Sequence, residues 1–123
     1  MRRLALPVAA FAVIVSASAC GGSSNNPPAG SIVVKLSEFK FDPNTISHAH
    51  GKITFFLENN GTSAHDMFIY DAAGNNEIAG SELVQPGNDS EFTVNMPTPG
   101  SYPFKCTQPG HAAAGMTGTL TIT

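Results

Sequence analysis

The chain closes on Tyr102-Pro-Phe-Lys-Cys106-Thr-Gln-Pro-Gly-His111-Ala-Ala-Ala-Gly-Met116-Thr-Gly-Thr-Leu-Thr-Ile-Thr123, and an isolated histidine, His65, lies far upstream. Together these residues offer one thiolate, two imidazoles and one thioether. Two His and one Cys in a trigonal plane, with a long and weak axial Met, are the donors of a mononuclear blue-copper centre, whose chemistry is one-electron exchange. Cys106 is the one cysteine after residue 20, so no disulfide can form within the region that follows, and the thiol is either buried structure or a ligand.

For such donors to meet, the segment Cys-x4-His-x4-Met must turn back on itself within about ten residues. Pro109-Gly110 supplies a bend and Gly115 relieves crowding before Met116. The elements on either side must then aim their ends at one point. Six segments are short and rich in β-branched and aromatic residues: 31–36, 52–58, 65–70, 91–96, 100–106 and 116–122. Between them stand Asp42-Pro-Asn, Glu58-Asn-Asn-Gly61, Ala73-Gly-Asn-Asn76, Gln85-Pro-Gly-Asn88 and Met96-Pro-Thr-Pro-Gly100, all turn chemistry. Only Asn76 to Val84 has a composition that allows a short helix. The pattern predicts an all-β fold, a Greek-key β-sandwich.

Alternation along strands ties the donors to that fold, because every second residue faces the same side. If Leu120 and Ile122 are core, Gly118 and Met116 share their face. Tyr102, Phe104 and Cys106 share another. The companions of His65 would be Met67 and Ile69, although Phe68 and Tyr70 leave that side open. Three candidate donors thus fall at strand ends with inward parity, and His111 falls in the loop between two of them.

Met1-Arg2-Arg3 and the apolar run from Leu4 to Val15 are too short to span a membrane as a helix and read as a secretory signal over 1–19. Ala17-Ser18-Ala19 followed by Cys20 resembles a bacterial lipoprotein processing site, which would make Cys20 the lipid-bearing N-terminus; Ala17 departs from the Leu usual there. Residues 20–30, rich in Gly, Ser, Asn and Pro, form a flexible linker, and 31–123 are long enough for one core. That domain carries four lysines (35, 40, 52 and 105) against nine carboxylates, a net charge of −5, and no arginine. Nucleic-acid binding is excluded by this balance.

The domain resembles the cupredoxin family of small blue-copper proteins over essentially all of 31–123. The likeness rests on the donor loop and on Phe39-Lys-Phe-Asp-Pro-Asn, Gly51-Lys-Ile-Thr-Phe leading through Asn59-Asn-Gly-Thr to His65, and Pro99-Gly-Ser-Tyr-Pro-Phe-Lys-Cys106. The loop length is similar to that of the rusticyanin, sulfocyanin and auracyanin branches. The resemblance implies copper as cofactor, with His65, Cys106 and His111 as equatorial ligands and Met116 as the axial one. It also implies that Asp66 stands where many relatives carry an Asn that ties the two ligand loops together; Asp66 could accept hydrogen bonds from the Thr107 N–H or hydroxyl but not donate.

The implied function is a periplasmic or cell-surface electron carrier, exported and lipid-anchored on the outer face of the cytoplasmic membrane. Its expected partners are transient redox proteins, a cytochrome or an oxidase or reductase, met through His111 and an apolar patch of Pro109, Gly110, Ala112, Ala113 and Ala114. A monomer is expected, and no enzyme: a multicopper oxidase would need His on both sides of Cys106, where Lys105 and Thr107 stand. The competing function is copper delivery with the same ligands and no redox turnover. His48-Ala-His50 has a spacing that could hold a second ion but reads as turn histidines at the far end of the domain. Asn60-Gly-Thr and Asn88-Asp-Ser match glycosylation sequons and read as turn residues.

Overall fold

Alternating burial resolves into nine strands in the computed structural model, which describes residues 26–123. The expected leader (1–19), the lipidation site Cys20 and linker residues 20–25 lie outside the described residues. Among the described residues there is no helix.

The strands form two sheets. One is β2 (Lys40–Asp42), β1 (Ile32–Ser37), β4 (Gly51–Asn59) and β7 (Asp89–Met96), in that spatial order. The other is β3 (Thr45–His48), β9 (Thr117–Ile122), β8 (Gly100–Lys105), β5 (Phe68–Tyr70) and β6 (Glu77–Gly80). Two pairings are parallel, β1 with β4 and β3 with β9; the rest are antiparallel. The core is the apolar layer between the sheets, with Val34, Leu36, Phe41, Ile53, Phe55 and Leu57 from one and Ile46, Ile69, Phe104, Leu120 and Ile122 from the other. It is the all-β sandwich that the short alternating segments predict.

Parity along the strands also holds. Met116, Leu120 and Ile122 are buried together, as are Phe104 and Cys106, and Tyr102 packs against the same cluster. The open side of the third segment closes in favour of Met67 and Ile69, both fully buried, with Phe68 and Tyr70 half-buried. Gly118 stands opposite Phe104 in the β8–β9 register, and a Cβ there would strike the Phe104 ring and the Asn44 carbonyl. The glycine is what lets Phe104 lie across β9.

Two expectations need correction. Residues 76–84 do not turn helical: Glu77–Gly80 form edge strand β6, paired with β5. Asp71 makes the hairpin by accepting from Asn75 N–H at 2.8 Å and from the Asn76 side chain at 2.7 Å, and the ladder to Phe68 and Ile69 then satisfies a backbone that a short isolated helix would leave half-paired. The segment 65–70 is a strand only from Phe68, because His65 makes a single isolated bridge to Val84. Short β2 and β3, flanking Asp42-Pro-Asn, carry the chain from the first sheet to the second.

Candidate metal centre

His65 is held by its backbone. Its N–H donates to Val84 O at 3.1 Å and its carbonyl accepts from Val84 N–H at 2.8 Å. Val84 O also accepts from Nδ2 of Asn59, at 2.8 Å, and the same amide donates to Ser63 O at 2.8 Å while its oxygen accepts from Gly61 N–H at 2.9 Å. Asn59, itself buried at the end of β4, thus folds the loop that delivers His65. A buried side-chain amide with donors and acceptor all engaged is a rigid support.

Cys106 and Met116 flank the second ligand loop, closed at its base by Cys106 N–H to Met116 O at 3.2 Å. Within it, Ala114 N–H donates to Gly110 O at 3.0 Å and Met116 N–H to His111 O at 3.0 Å, one tight turn that carries His111 back over the site. Gly110 has φ 81° and Gly115 φ 113°, the left-handed region that disfavours any side chain. These are the glycines that the sequence placed at the bend and just before Met116.

The donor atoms converge. Nδ1 of His65 and Nδ1 of His111 face each other at 3.1 Å, Cys106 Sγ is 3.5 Å from the same His111 nitrogen, and the three atoms lie within 4.8 Å of one another. Ligands about 2.0–2.3 Å from one first-row ion stand roughly 3–4 Å apart, so the arrangement fits a single metal. Met116, fully buried, is tied by its backbone to both Cys106 and His111. Among the described residues this is the group of three His, Cys, Asp or Glu donors that comes together. His65 and Cys106 are almost wholly buried and His111 is half-buried, which leaves His111 as the donor nearest solvent. Burial, followed by the neighbouring His111, pushes the basicity of His65 down, and burial pushes the Cys106 thiol up.

Asp66, beside His65 and 4% exposed, binds the opposite loop. Its carboxylate accepts from Thr107 N–H at 2.6 Å, from the Thr107 hydroxyl, and from Gln108 Nε2 at 3.3 Å. These are the acceptor roles the sequence allowed it. Two residues of the β1–β2 turn were not singled out: Glu38, whose Oε1 is 3.6 Å from His65 Nε2, and Phe39, whose ring meets His111 edge-on at 5.2 Å. Phe39 opens the Phe39-Lys-Phe-Asp-Pro-Asn stretch that carries the resemblance, but nothing local gives either residue a role at the site, since that role depends on a hairpin packing against loops far along the chain. His48 and His50 lie at the other end of β9, with His48 paired to Ile122 and His50 Nδ1 on Thr123 O at 3.1 Å. Six strand residues, about 20 Å, separate them from Met116.

A family model of copper binding proteins, the plastocyanin/azurin family, matches residues 29–123. The chain belongs to this family. Auracyanin-B of Chloroflexus aurantiacus is 38% identical over 61 residues, 50% of this chain but only 26% of that protein. Plastocyanin of Dryopteris crassirhizoma is 32% identical over 98 residues, 72% of this chain and 92% of that one. The solved structure of dithionite-reduced auracyanin from Roseiflexus castenholzii superposes with a TM-score of 0.69 at 26% identity, covering 77% of this chain and 98% of that one. This cupredoxin therefore takes copper as its cofactor, and its thiolate, thioether and imidazole donors are the soft and borderline set that copper requires.

Proposed function

We propose that this cupredoxin is an extracytoplasmic one-electron carrier, with His65, Cys106 and His111 as the equatorial copper ligands and Met116 as the axial one. The observation that carries the reading is the convergence of the two Nδ1 atoms and Cys106 Sγ within 4.8 Å of one another in a buried pocket. Copper, when bound, supplies the Cu(II)/Cu(I) couple. The protein's part is to hold the donors still. Sheet ends, the Asn59 amide, the Asp66 carboxylate and the closed loop leave them little freedom to rearrange, and low reorganisation favours fast electron exchange.

Burial of His65, Cys106 and Met116 leaves the site near solvent only on the His111 side, which favours a carrier over an enzyme. The electron enters and leaves through His111, around which Pro109, Gly110, Ala113 and Ala114 are exposed and uncharged. Such a surface suits a brief, weakly salt-dependent contact with a cytochrome, oxidase or reductase partner. The leader and Cys20 support export and lipid anchoring of a monomer on the outer face of the cytoplasmic membrane or in the periplasm.

The test is a copper titration of protein carrying Cys20→Ser, read by visible absorption and EPR, with Cys106→Ser alongside. The reading expects an intense thiolate-to-copper band with narrow hyperfine splitting, lost in Cys106→Ser, together with rapid self-exchange. Labile copper with slow electron exchange would instead mark the protein as a copper-delivery module.

A further inference from the structure

His65 Nε2 is the buried side-chain polar atom that finds no hydrogen-bond partner among the described residues. A buried N–H left unpaired costs about 1–3 kcal/mol, so native structures give such an atom a reason. Its neighbour here is Glu38 Oε1, at 3.6 Å, reaching across from the turn between β1 and β2.

The Glu38 carboxylate is not a loose surface charge. Oε1 accepts from Thr62 N–H at 2.6 Å, Ser63 N–H at 2.9 Å and the Thr62 hydroxyl at 3.2 Å. Three donors converging on one carboxylate oxygen favour the anionic form of Glu38. It therefore fastens the β1–β2 hairpin to the loop that delivers His65.

A separate observation shows that the space is kept for this contact. A Cβ added at Gly61 would lie 2.7 Å from Glu38 Oε1 and 3.1 Å from His65 Nε2. Gly61 has no positive φ to explain it; the missing side chain is what lets carboxylate and imidazole approach. The other residue of the turn, Phe39, takes φ 59°, unusual for a bulky side chain, and lays its edge on His111. Strain of that kind persists where the surroundings demand it.

We propose that Glu38 is a positioning residue of the copper site: its carboxylate holds His65 in the Nε2–H tautomer, leaving the Nδ1 lone pair aimed at the metal, and its negative charge favours Cu(II) over Cu(I). Which ring nitrogen of a ligating histidine is free is set by what the other nitrogen faces. An anion facing Nε2 stabilises a proton there. The Nδ1 that faces His111 Nδ1 at 3.1 Å is then the free nitrogen. This rests on the ligand assignment proposed above.

The experiment pairs the full chain with Glu38→Gln and Glu38→Ala. In the metal-free proteins, two-dimensional 1H–15N long-range spectra of the imidazoles report the His65 tautomer without any copper. The proposal expects Nε2–H in the parent and a loss of that preference in Glu38→Ala; Nδ1–H in the parent overturns it. In the copper-loaded proteins, Glu38→Gln keeps an acceptor for Thr62 and Ser63 but drops the charge. Its reduction potential should rise with the visible band retained, and Glu38→Ala should weaken Cu(II) binding about 10- to 100-fold. Unchanged potential and affinity in both variants overturn the proposal even if the parent is blue. A parent that shows the Nε2–H tautomer but gives no blue centre would refute the ligand assignment and the charge effect on Cu(II) together, while the positioning of His65 by Glu38 would stand.

Discussion

Asp66 and Thr107 stand 41 residues apart in sequence and are joined twice, Thr107 N–H donating to one carboxylate oxygen at 2.6 Å and the Thr107 hydroxyl to the other. The bond pair locks the His65 loop to the Cys106 loop and places a carboxylate beside the proposed copper ligands. A neutral amide could accept the same N–H bond without the charge. Asp66→Asn is therefore expected to raise the reduction potential by on the order of 50–100 mV, where about 59 mV is a tenfold change in the one-electron balance. Cyclic voltammetry decides it, and an unchanged potential removes the charge argument.

Asn59 is the support whose loss should be felt in both stability and metal binding. Asn59→Ala leaves the Gly61 N–H without its acceptor and removes a donor from Ser63 O and Val84 O. The expected cost is about 2–3 kcal/mol in denaturant unfolding of the metal-free protein. Copper affinity should fall with it, because Val84 O also receives the His65 N–H. A variant as stable as the parent would mean that water replaces the amide at no cost.

Copper uptake should release protons. Burial raises the Cys106 thiol above its ordinary 9.0, so it is protonated at neutral pH and must lose about one proton on binding. Affinity for Cu(II) is expected to fall up to about tenfold per pH unit on acidification, and calorimetry in buffers of different ionisation enthalpy counts the proton. In the metal-free protein, burial opposes the charged form of His65, so below its ordinary 6.5 the unfolded chain takes up a proton that the fold resists, and stability falls until the depressed folded value is reached. Glu38, lowered from 4.5 to about 2, contributes fully above pH 4.5 and loses that contribution progressively as pH falls from there toward about 2. Thermal melts against pH should show the His65 step first and the Glu38 step last.

Gly118→Ala tests the close approach of β8 and β9. The new methyl would collide with the Phe104 ring and with the Asn44 carbonyl, backbone that cannot rotate away. A loss of about 1–3 kcal/mol is expected, with the blue spectrum retained in the fraction that folds. A neutral effect would show that β3 can shift outward cheaply.

Electron exchange through His111 predicts a surface effect without a change at the metal. Ala114→Glu adds a charge to an exposed loop that has none, so two copies meeting at that face should repel. Self-exchange measured by NMR line broadening is expected to slow about tenfold at low salt and to recover as salt is added, with absorption and EPR unchanged. A rate indifferent to the substitution would move the exchange route elsewhere.

The residue types and order of His65, Cys106, His111 and Met116, the glycines that bend their loop, and the parity of 100–106 and 116–122 were legible in one dimension, because ligand chemistry fixes residue type and strand geometry fixes which alternate residues face inward. The face of His65 was not: His65, Met67 and Ile69 alternate with apolar Phe68 and Tyr70, and only packing chose the first set. Nor was the strand at Glu77–Gly80, whose local preferences are weak and whose state was set by a ladder to β5. Sequence determined which atoms could bind copper and that loops at strand ends would carry them. Beyond the Asp66 acceptor role that the resemblance implied, tertiary structure decided what surrounds those atoms, the Asn59 amide and the Glu38-Phe39 turn. Those contacts join segments that meet only when two sheets close on one another, and no spacing along the chain encodes that meeting.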